Sequence, residues 1–266
     1  MKKFLLKNKF IILVIVMLIV LLIIFVCLFK NDKVELSIEE RKIERIRKYD
    51  RDIYNQYKFK KIDGIVKGID VSSWQGEINF AKVKNSGIDF VMIRCGFRNL
   101  TNEDILEDKK FKYNVSEANK YNIPVGIYFY STAKNELEVM EEASFVLNLV
   151  KDYKITYPIV YDFETFNEKR TKNVSISTIN KNAKLFLKYI EEHGYEGMLY
   201  ANYTALSKYW NIDDFDGYSL WFAHYVNNST YEGKYAMWQY SDRGKIDGIV
   251  GNVDLNEAYF YYEELE

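Results

Sequence analysis

Pro158-Ile159-Val160-Tyr161-Asp162-Phe163-Glu164 is the stretch from which the rest of the chain is read. Ile159, Val160 and Tyr161 mark a short buried strand, and two carboxylates one residue apart follow it. Side chains alternate faces along a strand, so Asp162 and Glu164 share one face and Phe163 takes the other. Their Cα atoms then lie roughly 6.5 Å apart, two steps of about 3.3 Å. Carboxylates that close resist ionising together, and one keeps its proton near neutral pH. That suits a general acid beside a charge stabiliser, the pairing that cleaves glycosidic bonds. Alone, however, a D-x-E triplet is common and reads as an ordinary strand end with acidic loop residues.

Composition narrows the classes. The chain has 266 residues, enough for one large domain or two small ones, and its 48% hydrophobic content supports a sizeable core. Aromatic residues make up 17%, with 23 Tyr and 17 Phe; most fill core and surface, and some suit the lining of a sugar cleft. The net charge of −1 hides an asymmetry: residues 1–30 carry five lysines and no acid, leaving −6 on the other 236 residues. An acidic body offers no electrostatic footprint for nucleic acid. Cys27 lies in an apolar run and Cys95 in a buried-strand pattern, so no disulfide framework is expected. His193 and His224 are too few and too isolated for a His-rich metal site.

Phe10 to Phe29 is an apolar run of 20 residues without charge, Gly or Pro. At 1.5 Å per residue it spans about 30 Å, the thickness of a bilayer's hydrocarbon core. Four lysines precede it and no small-x-small cleavage site ends it, so an uncleaved single-pass anchor with residues 1–9 in the cytoplasm is expected. Residues 30–66 are highly charged. Ser37-Ile38-Glu39-Glu40 fits a capping box, and Ile43, Ile46, Ile53 and Tyr57 recur at near-helical spacing, so this stretch is expected to be a helical spacer.

From residue 67 to 262 short β-rich runs alternate with amphipathic helices. Strands are expected at 68–71, 90–95, 124–130, 159–161 and 197–200, and helices at 79–84, 105–121, 135–153 and 175–193, the last ending at Gly194. Alternating βα units imply a parallel sheet, and a barrel is one closure of it. Past Trp210 the helices thin out, and 218–225, 235–240 and 253–255 read as strands joined by turns. Asp70 ends the first strand, Tyr128 and Tyr130 lie toward the end of the third, and Asp254 lies on or beside the last. In a βα barrel such strand ends converge on one face, where these carboxylates and tyrosines would form an acidic cleft.

Six segments carry a resemblance to a known family: GIDVSSWQGEINF from Gly68, GIDFVMIRCGF from Gly87, NIPVGIYFYS from Asn122, PIVYDFE itself, LWFAHY from Leu220, and MWQYSDRGKIDGIVGNVDLN from Met237. In order and spacing, the sequence resembles the glycoside hydrolase family 25 lysozymes, N-acetylmuramidases that cut bacterial peptidoglycan. The resemblance implies a short, irregular TIM-like barrel of five βα units followed by antiparallel strands. It implies Glu164 as general acid, Asp162 as charge stabiliser or orienter of the substrate's acetamido group, and Asp70 and Asp254 lining the cleft. Tyr128, Trp238 and Gln239 stand at positions that resemble saccharide contacts, with a core or hydrogen-bonding role the alternative for Trp238. Glycan strands of peptidoglycan are the implied partner, the catalytic domain is expected to be monomeric, and neither metal nor organic cofactor is expected. Departures are few: Asn79-Phe80 stands where the family often has Asp-Trp, and Cys95 where Ala is commoner.

Two other classes compete. A membrane-tethered wall-binding module that has lost catalysis predicts loss of at least one carboxylate, and all four are present. A Cys-His peptidase using Cys95 with His193 or His224 requires Cys95 at a helix N-terminus, whereas it follows the strand run Val91-Met92-Ile93-Arg94.

Overall fold

The structure, a computed structural model, describes residues 57–264. The expected tail 1–9, the apolar run 10–29 and the spacer as far as residue 56 lie outside the described residues. Among the described residues, no helix is long and apolar enough to cross a membrane.

The strands are β1 (Tyr57–Val71), β2 (Phe90–Arg98), β3 (Ile105–Glu107), β4 (Val125–Tyr130), β5 (Ile159–Asp162), β6 (Gly197–Asn202), β7 (Ser219–Ala223), β8 (Met237–Gly244) and β9 (Val253–Glu264). The helices are α1 (Phe80–Asn85), α2 (Phe111–Lys120), α3 (Glu136–Val150), α4 (Ile176–Glu191) and α5 (Tyr203–Lys208). The sheet closes on itself in the order β1-β2-β4-β5-β6-β7-β8-β9 and back to β1. β3 pairs antiparallel with the last residues of β2. The five expected βα units are present, each strand from β1 to β6 in the barrel being followed by a helix.

Three expectations need correction. The strands after the fifth unit are not all antiparallel: β7 pairs parallel with β6, and β8 parallel with β7. Only β9 runs against its neighbours β8 and β1. The connection from Ala223 to Met237 contains no helix, but its length, about a dozen residues, suffices for a parallel crossover. Residues 105–121 are not one helix, because β3 and a turn precede α2. Asp108 makes that turn: its Oδ2 accepts from Arg94 Nη2 at 2.7 Å and from the Ser73 backbone N–H at 3.1 Å. Finally, residues 57–66 are strand rather than helical spacer, since β1 pairs with β9 from Tyr57↔Glu264 onward.

Inside the barrel, Phe90, Met92, Tyr157, Val160, Met198, Trp221, Met237 and Phe260 form one buried cluster. Phe90 stacks on Tyr157 with centroids 4.6 Å apart, and Tyr157 meets Phe260 at 5.2 Å, so much of the aromatic content fills the lumen. The helices cover the outer face. In α4, Ile179, Ala183, Phe186, Leu187 and Ile190 recur at helical spacing and are buried. Phe186 packs on the outward ring of Tyr161, 5.0 Å away. Ser175 caps α4 by accepting from the Thr178 N–H, and Gly194 supplies the left-handed φ of +84° just past its end.

Gly68 allows the close approach of β1 to the lumen, because a Cβ there would run into the Phe90 ring. Gly68→Ala is expected to destabilise the fold by about 1–3 kcal/mol through overpacking. A urea titration checks this: the midpoint falls and the slope stays unchanged.

Candidate active site

Strand parity determines which side chains reach the open end of the barrel. Val160, Met198 and Met237 face the lumen. The next inward positions toward the strand ends are Asp162, Tyr200 and Gln239. On the reversed β9, Ala258 faces inward, and so do Asn256 and Asp254. Asp70 stands directly opposite Asp254 across the β1–β9 pair. Four strands therefore bring three carboxyls and two amides into one layer at the mouth.

Asp70 is held on all sides. Its Oδ2 accepts from Gln239 Nε2 and from Asn256 Nδ2, each at 2.8 Å. Asn256 Oδ1 accepts in turn from Trp221 Nε1 at 2.8 Å. Gln239 Oε1 accepts from the hydroxyls of Tyr200 at 3.0 Å and Tyr225 at 2.9 Å. Burial pushes Asp70 up to about 6, against the pull of hydrogen bonds from Asn256, Gln239 and Asp254. Asp254 rises further, to about 8, through burial first and the Asp70 charge next. Opposed like charges are unfavourable across a strand pair, so the pair keeps one proton, which rests on Asp254.

Asp162 and Glu164 have different surroundings. β5 ends at Asp162, so Glu164 belongs to the following loop and does not continue the strand. Asp162 is buried, and its Oδ1 has no hydrogen-bond partner among the described residues. Burial, then the charges of Glu164 and Asp70, hold its carboxyl well above the usual range, while Arg94 pulls it back. Glu164 reaches solvent in a cleft of about 700 Å³ that Tyr200, Asn202, Tyr203 and Tyr225 also line. The cleft walls still strip enough water to raise its carboxyl; the Asn202 side chain favours the charged form and Asp254 opposes it. Asn202 is itself fixed as the N-cap of α5, accepting from the Ala205 N–H at 2.9 Å. Along the cleft, Tyr203 stacks on His224 at 4.4 Å and Phe166 on Tyr209 at 4.1 Å.

Of the other residues singled out in the sequence, Tyr128 is half-buried and meets Trp221 edge-on at 6.0 Å. Gln239 is buried with its amide committed to Asp70 and the two tyrosines. Trp238 is not brought to the carboxylates. It neighbours the inward Gln239 and takes the outer face, where its Nε1 donates to the His224 carbonyl at 3.0 Å. Asn256, Tyr200, Tyr225 and Asn202 escaped the sequence reading. Asn256 and Tyr200 were within reach of the same parity rule, counted from Asp254 and Met198.

The thiol reading finds no support. Cys95 is buried, its Sγ donates to the Tyr128 carbonyl at 3.5 Å, and burial drives its pKa far up. His193 Nδ1 lies 2.7 Å from the Tyr189 carbonyl, and His224 Nδ1 lies 3.0 Å from Ser229 Oγ. Among the described residues, no group of His, Cys, Asp and Glu is arranged to hold a metal ion.

Residues 69–249 match the family described as Glycosyl hydrolases family 25. The chain belongs to that family. It is 29% identical over 193 residues to the autolytic lysozyme of Clostridium acetobutylicum, a match covering 72% of this chain and 55% of that protein. Lysozyme M1 of Streptomyces globisporus is 27% identical over 205 residues, 72% of this chain and 67% of the relative. Among solved structures, the modular autolysin LytC of Streptococcus pneumoniae in complex with synthetic peptidoglycan ligand aligns with a TM-score of 0.65 at 28% identity, over 74% of this chain and 47% of that one. A family 25 glycosyl hydrolase from Bacillus anthracis aligns with a TM-score of 0.61 at 27% identity, over 73% and 88%. The chain thus spans about half the length of the clostridial lysozyme and of LytC, at 55% and 47%.

The raised carboxyls give this family 25 domain a pH signature. The folded state holds the Asp254 proton up to about 8, whereas the unfolded chain releases it near 3.8. In that window the native state binds more protons, so stability falls as pH rises from about 4 to about 8. Asp254→Asn is expected to raise the urea midpoint at pH 8 and to change it far less at pH 4.5. Unfolding titrations of both proteins at the two pH values measure the difference.

Proposed function

We propose that this chain hydrolyses the β-1,4 bond between N-acetylmuramic acid and N-acetylglucosamine in peptidoglycan. The carrying observation is the division of the D-x-E pair: Glu164 reaches the open cleft with a raised carboxyl, and Asp162 lies buried beside it with a free oxygen. Glu164 gives its proton to the glycosidic oxygen as the C–O bond breaks. The oxocarbenium-like transition state gains from the negative charge on Asp70, the member of the Asp70–Asp254 pair that is left without the proton. The unpartnered Oδ1 of Asp162 suits the N–H of an acetamido group, which would orient the sugar. Gln239 and Asn256 position Asp70, and Tyr128 stands in the lumen below. Lysozymes among the relatives and a peptidoglycan ligand on LytC support the same substrate.

The proposal extends to location. Residues 10–29 serve as a single-pass anchor, with the lysine-rich residues 1–9 in the cytoplasm and the catalytic domain outside, facing the glycan strands of the wall as a monomer. A tether favours local, restrained cutting over release of a freely diffusing lytic enzyme.

Glu164→Gln is expected to lower the rate of peptidoglycan hydrolysis by at least about 10²–10⁴-fold, with an unchanged circular dichroism spectrum. Mass spectrometry of fragments released by the wild-type chain should show muramic acid at the reducing ends. Glucosamine at those ends, or wild-type clearing by the variant, would sink the assignment.

A further inference from the structure

Trp238, turned away from the carboxylates, lines a second groove. It runs along the outer face of β8 and has a volume of about 890 Å³. The connections on either side of β8 carry no α-helix, so this face of the barrel lacks the cover that α1 to α4 give elsewhere. Trp238 and Tyr240 are two apart on β8 and share that outer face, with ring centroids 5.8 Å apart. Glu257, paired with Trp238 across β8 and β9, lines the groove beside them. Asp242, Arg243 and Lys245 follow at the end of β8 that opens on the mouth. Arg243 is mostly exposed and lies 3.5 Å from Asp242, while Lys245 donates to the Gly251 carbonyl at 3.0 Å.

The groove adjoins the catalytic cleft at Tyr225, which lines both. That ring is half exposed, and its hydroxyl reaches Gln239 in the Asp70 assembly. A ligand fixed by its sugar in the cleft can therefore pass over Tyr225 and lay a substituent along β8.

We infer that the β8 groove receives the peptide stem carried by muramic acid, so that the enzyme reads peptide-bearing strands in preference to bare glycan. The inference rests on the muramidase reading above. The occupant is chosen by chemistry. A stem peptide alternates carboxylates with an amine-bearing side chain and small apolar groups. The groove offers two cations, Arg243 and Lys245, two acids, Asp242 and Glu257, and the rings of Trp238 and Tyr240. A strand stripped of its stems keeps only the lactyl carboxylate of each muramic acid, with no amine to meet the acids and no apolar side chain to meet the rings.

The test uses the full chain in detergent and two substrates: glycan strands with their stems, and the same strands stripped of stems by an amidase. Wild type should show the higher kcat/KM on stem-bearing strands. Arg243→Glu, and separately Tyr240→Ala, should lower that value about tenfold, the size of one lost charge-assisted or ring contact, and leave cleavage of stripped strands unchanged. Variants that lose activity equally on both substrates, or on neither, overturn the inference while the muramidase reading stands. If the wild type cuts neither strand, both fall.

Discussion

The buried carboxylate of Asp70 is the constraint on which the barrel's closure depends. It lies on β1, receives amides from β8 and β9, and through Asn256 is tied to Trp221 on β7. Burying a carboxylate is costly unless donors surround it, and here the donors come from the strands that must meet for the sheet to close. β9 is the one reversed strand of the barrel, inserted between β8 and β1. A slip of one residue along β9 would turn Asn256 outward and leave Asp70 short of a donor in an apolar lumen. Register and the geometry of the carboxyl layer are thus fixed by the same three side chains.

A second polar assembly fastens the loops around the mouth from outside the sheet. Arg98 of β2 donates to Glu142 of α3 at 2.7 Å, and Glu142 accepts from Ser131, past the end of β4, at 2.6 Å. Ser131 Oγ also lies 3.0 Å from the hydroxyl of Tyr161, the residue before Asp162. Arg170, in the loop that carries Glu164, reaches Thr132, Glu103 and Glu138. Buried ion pairs are weak evidence of net stability, but breaking one leaves an uncompensated charge. Their effect here is positional: the segment bearing Glu164 is pinned to Thr132 after β4, to α3 and to the β2–β3 connection, so its place does not depend on β5 alone.

Much of this was legible because a strand has a period of two and a helix of 3.6. The sequence placed Asp70, Asp162 and Asp254 at strand ends, and closure of the sheet brought them together. The same period could have excluded Trp238, since Trp238 and Gln239 are adjacent in one strand and cannot both face the lumen. Asp108 was not legible: its role in breaking 105–121 into β3 and α2 depends on Arg94 and Ser73, which are distant in sequence. Nor was the strand at 57–66, which carries charges and only one glycine, and whose extended form follows from pairing with the far end of the chain. The direction of β8 was open for a similar reason: a connection of about a dozen residues without a helix permits either sense, and only the partner strand settles it.

The break in β5 explains how two neighbouring carboxyls come to have different surroundings. Had the strand continued, Asp162 and Glu164 would stand side by side on one wall, with similar burial. Because it ends at Asp162, that residue keeps the lumen's low polarity while Glu164 swings into a cleft where water and a leaving group can reach it. Asn202 then acts twice, capping α5 with its oxygen and favouring the charged form of Glu164. A general acid has to part with its proton at the transition state and regain it from solvent, so it needs both an elevated pKa and an anion that is tolerated afterwards. For the role proposed for Glu164, burial and Asp254 would meet the first requirement, and Asn202 and the open cleft the second. Asp162, without such a donor on Oδ1, is instead left to be satisfied by whatever occupies the site.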